Sequence, residues 1–498
     1  MMKQYNKPDK IIIVTPGSIV LNIFLILVVV SHSYGTLVGL LSHADQTHKE
    51  APCFDIESQF NGITRRIESG EDELQGAFIP EGCFLSNVFY GYSLVNISLS
   101  RPTDSSFRKI ALKKLEHLLT KVEPYQNRVP FKYTDNSLPG GVIYQGNINR
   151  LRAGYIILGG SNSKIINDFH SGSKLLFLAF SEANPPFPES FGGLTWPVDG
   201  VCALDSLRLH DELFKTTYSQ ACDKWLAWMK SHLDPQTSLM IAQAGKDSDT
   251  IVDGTRGCAM SWSLALLPTI DKEFSRQQYQ RFREQWFQPF GPGLLGINEW
   301  YQGKQRPTDF QAGPVFAGLG AAATGLGIAA AKTNADSESF HGILRSLELF
   351  GVPQYNLQGE KNYFFGLSLL SDTIALWGKT IVPWHPEKFS PEQSVFTSNK
   401  KHSSPDSFPL LITVVFVFSV FVTFTLVRRI VRFCKSDKFT RPKRTRLITG
   451  IAVFQTLLVT LWLLCPFISW IQVFICMAVT SFMEELIIRP KIVADKFK

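Results

Sequence analysis

The sequence has few cysteines and lacks several short motifs that mark common enzyme chemistries. Its 498 residues contain eight cysteines, and none has the spacing of zinc ligands. It also lacks a Walker motif, an HExxH sequence and a nucleophile elbow. These absences argue against nucleotide, zinc-protease and serine-hydrolase chemistry. We expect no cofactor and no metal.

An excess of charge of one sign is confined to short segments. The formal net charge is +7, and residues 1–10, 428–446 and 484–498 carry +2, +8 and +1, which leaves −4 for the rest. A mildly acidic main part argues against a nucleic-acid partner. The basic segment 428–446 is expected to set membrane topology and to contact anionic lipid.

Two uncharged apolar runs are long enough to cross a bilayer. Residues 11–30 follow three lysines, and residues 408–427 precede the basic segment. Because basic flanks stay in the cytoplasm, both spans are predicted to point the same way, with residues 32–407 outside the cytoplasm. Residues 447–483 are predicted to form a transmembrane hairpin around Pro466, with a single kinked helix as the alternative.

These spans predict a multi-pass protein of the bacterial inner (cytoplasmic) membrane, with residues 32–407 in the periplasm. The first run could instead be a signal peptide, since residues 42–44 form an acceptable cleavage site. Its length favours an uncleaved anchor. An oxidising compartment would permit a disulfide between Cys53 and Cys83, whereas Cys202 and Cys222 fit small buried helix residues.

Between the membrane segments, six polar stretches run into apolar helical patterns at nearly even spacing. The six helix starts recur about every 57 residues: Gly82, Gly141, Val198, Thr255, Gln311 and Asn362. Each repeat has room for two helices and a loop. The first helix of each pair is the more apolar, which predicts a buried inner ring of six helices inside an amphipathic outer ring. The predicted fold is an all-α, (α/α)6 toroid of six helical hairpins, plus transmembrane helices at both ends.

The outer helices are predicted at residues 105–121, 162–182, 213–233, 273–288 and 337–350, and the sixth is undefined. The predicted organisation is a cytoplasmic tail with anchor at 1–31, a linker and N-terminal segment at 32–79, the catalytic-type toroid at 80–385, a linker at 386–407, a transmembrane helix at 408–427, a basic cytoplasmic loop at 428–446, a transmembrane hairpin at 447–483 and a cytoplasmic tail at 484–498.

In such a ring, the polar segments before the inner helices lie together at one rim, where acidic residues can serve either as helix caps or in function. Asp199 follows Trp196 and Pro197 inside a first helical turn, so we expect it to point into the ring as a catalytic or substrate-binding acid. Asp205 lies deeper and fits a buried, hydrogen-bonded acid. Arg256 could pair with an acid across the rim or form a structural ion pair.

The segment 291–309 is the longest polar connection between paired helices, and a long loop beside a ring opening is typical of a lid or a substrate wall. Glu299 lies beside Trp300, which would raise its pKa and suit a general acid. A surface glutamate beside a packed tryptophan is the alternative.

The candidate residues come from all six repeats. The predicted catalytic residues are Asp199, Glu299, Asp309 and Tyr144. The predicted substrate-binding residues are Glu81, Gln145, Trp196, Asp253, Arg256, Cys258, Trp300 and Tyr363.

Four motifs carry a family resemblance. They are WPVD at 196–199, DGTRGCAMSW at 253–262, QYQRF at 278–282 and DFQAGPVFAGLG at 309–320. Over about residues 80–377 the chain resembles bacterial proteins grouped near linalool dehydratase/isomerase. The resemblance implies an (α,α)6 barrel that dehydrates and isomerises an isoprenoid-type alcohol without a cofactor, through acid/base residues that include Asp, His, Tyr and Cys.

The resemblance carries over to part of this rim. Asp199, Tyr144 and Cys258 occupy positions where that family's acid, tyrosine and cysteine could act. Its histidine has no match, because His170 and His210, like His232, lie away from the helix starts. The main predicted function is therefore a membrane-anchored dehydratase or isomerase outside the cytoplasm.

Two alternatives belong to other functional classes. A glycosidase, polysaccharide lyase or epimerase acting on envelope polysaccharide would use Asp199 with Glu299 or Asp309 as its carboxylate pair. A non-catalytic module would bind lipid or glycan in the ring. The expected partners are a small-molecule or glycan substrate and membrane lipid.

Overall fold

The computed structural model describes residues 54–134, 138–191, 193–245, 250–291, 293–301, 313–316 and 318–385. The predicted membrane spans, the linker at 386–407 and the basic loop lie outside these residues, as do Cys53 and Asp309. Within the described ranges, no helix combines the length and apolar character that a membrane crossing requires.

The described part of the chain is mostly helical. Its α-helices are α1 (Phe54–Glu68), α2 (Glu71–Phe78), α3 (Gly82–Ser100), α4 (Ser105–Val122), α5 (Gly141–Ile157), α6 (Ser163–Glu182), α7 (Gly200–Phe214), α8 (Gln220–Ser231), α9 (Gly257–Ile270), α10 (Lys272–Trp286), α11 (Ala321–Thr333), α12 (Ser337–Phe350) and α13 (Leu369–Thr380). Its 3-10 turns are Glu123–Asn127, Phe131–Tyr133, Pro197–Asp199 and Phe364–Gly366.

Short strands lie in the connections between helices. They are β1 (Gln243–Ala244), β2 (Ile251–Asp253), β3 (Phe287–Gly291), β4 (Leu294–Ile297), β5 (Val315–Phe316), β6 (Leu319–Gly320), β7 (Gln354–Tyr355) and β8 (Lys361–Asn362). The first six form three antiparallel pairs in chain order. Residues Glu348–Tyr355 belong to a separate compact unit from the rest of the helical domain.

Six apolar helices close a ring. Helices α3, α5, α7, α9, α11 and α13 each contact the next, and α13 contacts α3. Two of them start where the sequence predicts, at Gly82 and Gly141. Helix α11 starts at Ala321, ten residues after the predicted Gln311, because β5 and β6 precede it. A mostly helical, toroid-like domain is confirmed.

The outer helices α4, α6, α10 and α12 lie within two residues of their predicted bounds, but α8 is shorter. It begins at Gln220, not at residue 213, because α7 continues to Phe214 and Lys215 ends it in the left-handed conformation, at φ 56°. The sixth outer helix is α1, which contacts α13. The predicted N-terminal segment at 32–79 therefore contains a helix that completes the outer layer.

Buried ion pairs attach α1 to α13 and to the segment before it. Arg66 Nη1 lies 2.6 Å from an oxygen of Asp372, and Lys379 Nζ lies 2.6 Å from Asp55. Lys361 also pairs with Asp55. Because an unpaired charge in this environment would cost several kcal/mol, about 3–5 when one partner is removed, the two helices depend on each other.

Aromatic side chains fill the centre of the ring. The ring of Phe89 on α3 lies 5.3 Å from that of Trp262 on α9, the opposite inner helix, and 5.0 Å from that of Trp377 on α13. Tyr92 continues the group to Trp384, at 5.6 Å. We call Phe89, Trp262 and Trp377 the aromatic floor.

The segment that follows α13 packs against the C-terminal half of the inner helices. The Trp384 indole donates to Asn96 Oδ1 at 2.7 Å, and the Arg150 guanidinium lies 3.7 Å from its ring centroid. His385 contacts Asp205 at 2.9 Å, and Arg150 pairs with Asp205 at 2.6 Å. Although burial opposes it, the Arg150 guanidinium holds the pKa of Asp205 well below its usual range. Asp205 is therefore a buried structural acid.

Candidate active site at the ring rim

Asp199 is the last residue of the 3-10 turn that leads into α7, and Pro197 starts that turn. Its carboxyl group is half-buried and accepts a hydrogen bond from Ser190. Burial raises the pKa of Asp199 to about 7, against the Ser190 hydrogen bond and with help from the nearby Glu81 carboxylate. Asp199 therefore keeps its proton to a higher pH than an ordinary aspartate does.

Glu81 directly precedes α3, and its carboxylate lies close enough to Asp199 to raise the Asp199 pKa. Burial raises the pKa of Glu81 as well, against a backbone hydrogen bond. Acidic residues at helix starts usually cap the helix by accepting backbone N–H hydrogen bonds. Neither Glu81 nor Asp199 makes a side-chain capping bond. Helix capping therefore does not explain why these two carboxyl groups lie at the helix starts.

Ser190 and Trp196 hold the segment around Asp199. The Trp196 backbone N–H donates to Ser190 Oγ at 2.9 Å, and Trp196 packs on Phe191 with ring centroids 5.2 Å apart. The Ser190 carbonyl lies so close to Gly141 that a Cβ there would be 1.8 Å from its oxygen. Gly141 has φ 78°, which favours glycine. The start of α5 thus supports the loop that carries Ser190.

A second cluster lies at the start of α9. Glu299 is fully buried and pairs with Arg256 at 3.0 Å. Its carboxylate also accepts hydrogen bonds from the Cys258 backbone N–H and from the Cys258 thiol, both at 3.1 Å. The Arg256 guanidinium lies 4.6 Å from the Trp300 ring centroid. This arrangement ties the loop after β4 to α9.

Burial raises the pKa of Glu299 to about 7, against the opposing effects of Arg256 and Cys258. Since its oxygens are occupied inside the protein, we interpret Glu299 as a positioning residue for Cys258. The half-buried Cys258 thiol lies one helical turn before Trp262, a member of the aromatic floor.

Tyr144 and Gln145 have internal partners. The Tyr144 hydroxyl donates to the carbonyl oxygen of Glu123 at 2.7 Å, and its ring packs on Phe84 and Phe131. Gln145 donates to the Pro139 carbonyl at 2.6 Å. The predicted catalytic role of Tyr144 is replaced by a packing role, because its hydroxyl is occupied in the core.

The remaining predicted site residues lie apart from these two clusters. Tyr363 is buried, and its hydroxyl lies 2.6 Å from Lys379 Nζ in the network that joins α1 to α13. Asp253 ends β2 opposite Gln243. Asp309 lies outside the described residues. The rim thus brings together Glu81, Asp199 and Trp196 in one group and Arg256, Cys258, Glu299 and Trp300 in another.

Ser190 is the rim residue that the sequence does not point to. It lies in the loop between α6 and α7, which has no helical periodicity, and its contact with Asp199 depends on the path of that loop. The pairing of Cys258 with Glu299 joins residues 41 positions apart and is equally invisible in the sequence.

One group of potential metal ligands lies among the described residues. Asp72, Glu73 and Cys83 bring potential ligand atoms within 4.8 Å of one another. Lys121 and Arg128 already pair with the two carboxylates, at 2.5 and 2.9 Å. Burial raises the pKa of the Cys83 thiol to about 12, which keeps it protonated. This group is better explained by its ion pairs than by a metal.

Comparison with known proteins gives distant likenesses in structure. No family model matches the chain. A solved structure of an unsaturated glucuronyl hydrolase specific for heparin is similar with a TM-score of 0.39 and 11% sequence identity, over 59% of this chain and 85% of that one.

Proposed function

We propose that the helical domain is a glycan-active enzyme in which Asp199 and Glu81 perform general acid/base chemistry. The observation that carries the proposal is the pair of carboxyl groups at the starts of α3 and α7, which do not cap their helices and are near enough for Glu81 to raise the pKa of Asp199. The chemistry would be that of a glycosidase, a polysaccharide lyase or an epimerase.

The electrostatics of the pair suit proton transfer. Burial is the main cause of the raised pKa of Asp199, and the Glu81 carboxylate adds a smaller effect in the same direction. Asp199, with a pKa of about 7, would donate a proton to the departing oxygen, and Glu81 would act as the base. The half-exposed indole of Trp196 offers a flat surface on which a sugar ring can stack.

Dehydration or isomerisation of an isoprenoid-type alcohol is the second candidate. The observation that favours it is the Cys258 thiol, held by Glu299 one turn before Trp262 of the aromatic floor. An apolar chain would lie over that floor, and Asp199 would protonate the hydroxyl group that leaves as water. A membrane anchor and an extracytoplasmic location remain part of both proposals.

The test is product formation by the full-length chain. The chain is incubated with pooled envelope polysaccharides and, separately, with pooled isoprenoid alcohols, and products are detected by mass spectrometry. We expect glycan products from the wild type and at least a 100-fold lower rate from Asp199→Asn and Glu81→Gln. Asp223→Asn, on the exposed face of α8, is the matched control and should retain full activity.

Either of two outcomes would overturn the proposal. Products from the alcohol pool alone would favour the second candidate. Full glycan activity in folded Asp199→Asn would remove the carboxyl pair from the mechanism.

A further inference from the structure

The short segment that follows α13 is held to the ring by its side chains. Residues 381–385 have no regular secondary structure, and we call them the latch. The Trp384 ring packs on the backbone of Gly154, where an added Cβ would lie 3.0 Å from it. His385 ends the latch and is fully buried. The attachment of the latch therefore depends on a few side-chain contacts.

Both ring nitrogens of His385 face carboxylate oxygens of α7. Nδ1 lies 2.7 Å from Glu212 Oε2, and Nε2 lies 2.9 Å from Asp205 Oδ1. A carboxylate accepts hydrogen bonds and donates none, so each of these contacts needs a proton on the imidazole nitrogen. Neutral imidazole carries a single N–H, whereas imidazolium carries two. The geometry therefore fits the protonated form of His385.

The groups packed around Asp205 keep it charged. Arg150 of α5 pairs with its second oxygen at 2.6 Å. The Thr269 hydroxyl of α9 lies 2.6 Å from the oxygen that faces His385. Because an ionised carboxylate is fixed in front of Nε2, a proton on that nitrogen is stabilised.

The other titratable groups near this network are neutral or lie beside the start of the latch. Burial raises the pKa of Tyr92 on α3 well above its ordinary value and that of the Cys202 thiol on α7 to about 12. Lys332 of α11 donates to the carbonyl oxygen of Lys379, just before the latch. Among the described groups, the two carboxylates of α7 are therefore the ones that control the protonation of His385.

These carboxylates make proton binding and latching depend on each other. Although burial opposes the charge, hydrogen bonds to Asp205 and Glu212 raise the pKa of His385 above its ordinary value of 6.5. A released His385 would titrate near the ordinary value, so the latched state binds the proton more tightly. Latching is therefore fully favoured below about pH 6.5 and weakens as pH rises through the raised pKa.

We propose that the latch is pH-sensitive, closed while the His385 imidazolium bridges the two carboxylates and opened when the imidazole releases a proton to solvent. Loss of one N–H leaves a nitrogen lone pair in front of a carboxylate oxygen, which is unfavourable for both. Opening would withdraw Trp384 from the inner helices. Glu212 lies near the end of α7, whereas Asp199 lies at its start, so the latch is independent of the proposed glycan chemistry.

The test is cleavage of the full-length chain by chymotrypsin after Trp384, which is 3% exposed in the closed latch. Cleavage after Tyr133, which is 64% exposed, is the internal reference for the activity of the protease at each pH. We expect the ratio of the two cleavage rates to rise at least about threefold between pH 6 and pH 9 in the wild type, because the latch opens as His385 is deprotonated.

Three variants identify the titrating group. His385→Gln cannot become charged, so its cleavage ratio should be high at pH 6 and independent of pH. Glu212→Gln, at a half-buried position, removes one of the two carboxylates, so the rise should begin at a lower pH. His117→Gln, on the exposed face of α4, is the matched control and should behave as the wild type does.

Circular dichroism checks that each variant is folded. A wild-type cleavage ratio that does not change between pH 6 and pH 9 would overturn the proposal. A folded His385→Gln with the wild-type pH dependence would overturn it as well, and so would a Glu212→Gln variant in which the rise begins at the wild-type pH.

Discussion

At the scale of single residues, the rim is defined by acids whose side chains are not used to hold the fold. Asp205 and Asp372 lie inside ion pairs with arginines, and Asp211 holds a loop together. Glu81 and Asp199 instead lie at helix starts without capping them, and both have raised pKa values. Acidic side chains with raised pKa values that lie near each other and form no ion pair are typical of a functional site.

The Asp199 pKa is accessible to NMR. Titration of its ¹³C-labelled carboxyl group should give a midpoint near pH 7 in the wild type. Glu81→Gln removes a neighbouring negative charge, so the midpoint should fall. Ser190→Ala removes a hydrogen bond that favours the charged form, so the midpoint should rise. A wild-type midpoint near 4 would contradict the proposed arrangement.

The raised pKa also affects stability. Between about pH 4 and pH 7 the folded state binds a proton on Asp199 that the unfolded chain has released, so the free energy of unfolding falls as pH rises through this range. Asp199→Asn cannot ionise and should lose this dependence. We expect the variant to gain about 4 kcal/mol relative to wild type between pH 4 and pH 8, measured by urea denaturation. Asp223→Asn should show the wild-type pH dependence.

At the scale of elements, the start of α5 supports the loop between α6 and α7 through Gly141. A methyl group there would meet the Ser190 carbonyl. Gly141→Ala should therefore lower both stability and activity, because it displaces the loop that carries Ser190 and positions Asp199. Gly159→Ala is the matched control, since Gly159 also has a positive φ, 89°, but its Cβ would meet nothing within 4 Å.

Gly159→Ala should lower the free energy of unfolding by only about 1 kcal/mol, the cost of placing alanine in the left-handed conformation. It should keep full activity. Thermal unfolding and product formation, measured on both variants, separate the two effects. If Gly141→Ala and Gly159→Ala lost the same amount of stability and activity, the contact between Gly141 and Ser190 would not support the loop.

Most inner and outer helices were predictable because their apolar and amphipathic patterns are strong and regular. Helix α12 begins and ends as predicted, and α3 and α5 begin at the predicted glycines. The predicted helix starts are wrong where the loop before the helix contains short strands, as with β5 and β6 before α11. Hairpins of two-residue strands leave no periodicity long enough to recognise.

At the scale of the whole molecule, the outer layer of the ring is completed by α1, which precedes the first inner helix in the chain. The sequence period starts at Gly82, so a search for the sixth outer helix naturally continues past Tyr363. Helix α1 takes that place, held to α13 by buried ion pairs such as Arg66 with Asp372. The rim partners were equally hidden, because Ser190 and Asp199 meet only through a loop path that no pattern encodes.

Ring closure can be tested with two adjacent arginines. Arg66→Met leaves Asp372 buried without its guanidinium partner and should lower the free energy of unfolding by about 3–5 kcal/mol. Arg65→Met removes an exposed pair with Glu360 and should cost less than about 1 kcal/mol. Urea denaturation of both variants provides the comparison. If both variants lost less than about 1 kcal/mol of unfolding free energy, the ion pairs of α1 would contribute little to the stability of the ring.

The central claim is that Asp199 transfers a proton during turnover of a glycan. Its most direct test is the rate of glycan product formation between pH 5 and pH 9, measured for the wild type and for Asp199→Asn. We predict that the wild-type rate falls above pH 7 as Asp199 loses its proton, and that the variant is at least 100-fold slower at every pH. A variant with the wild-type rate and the wild-type pH profile would contradict the account.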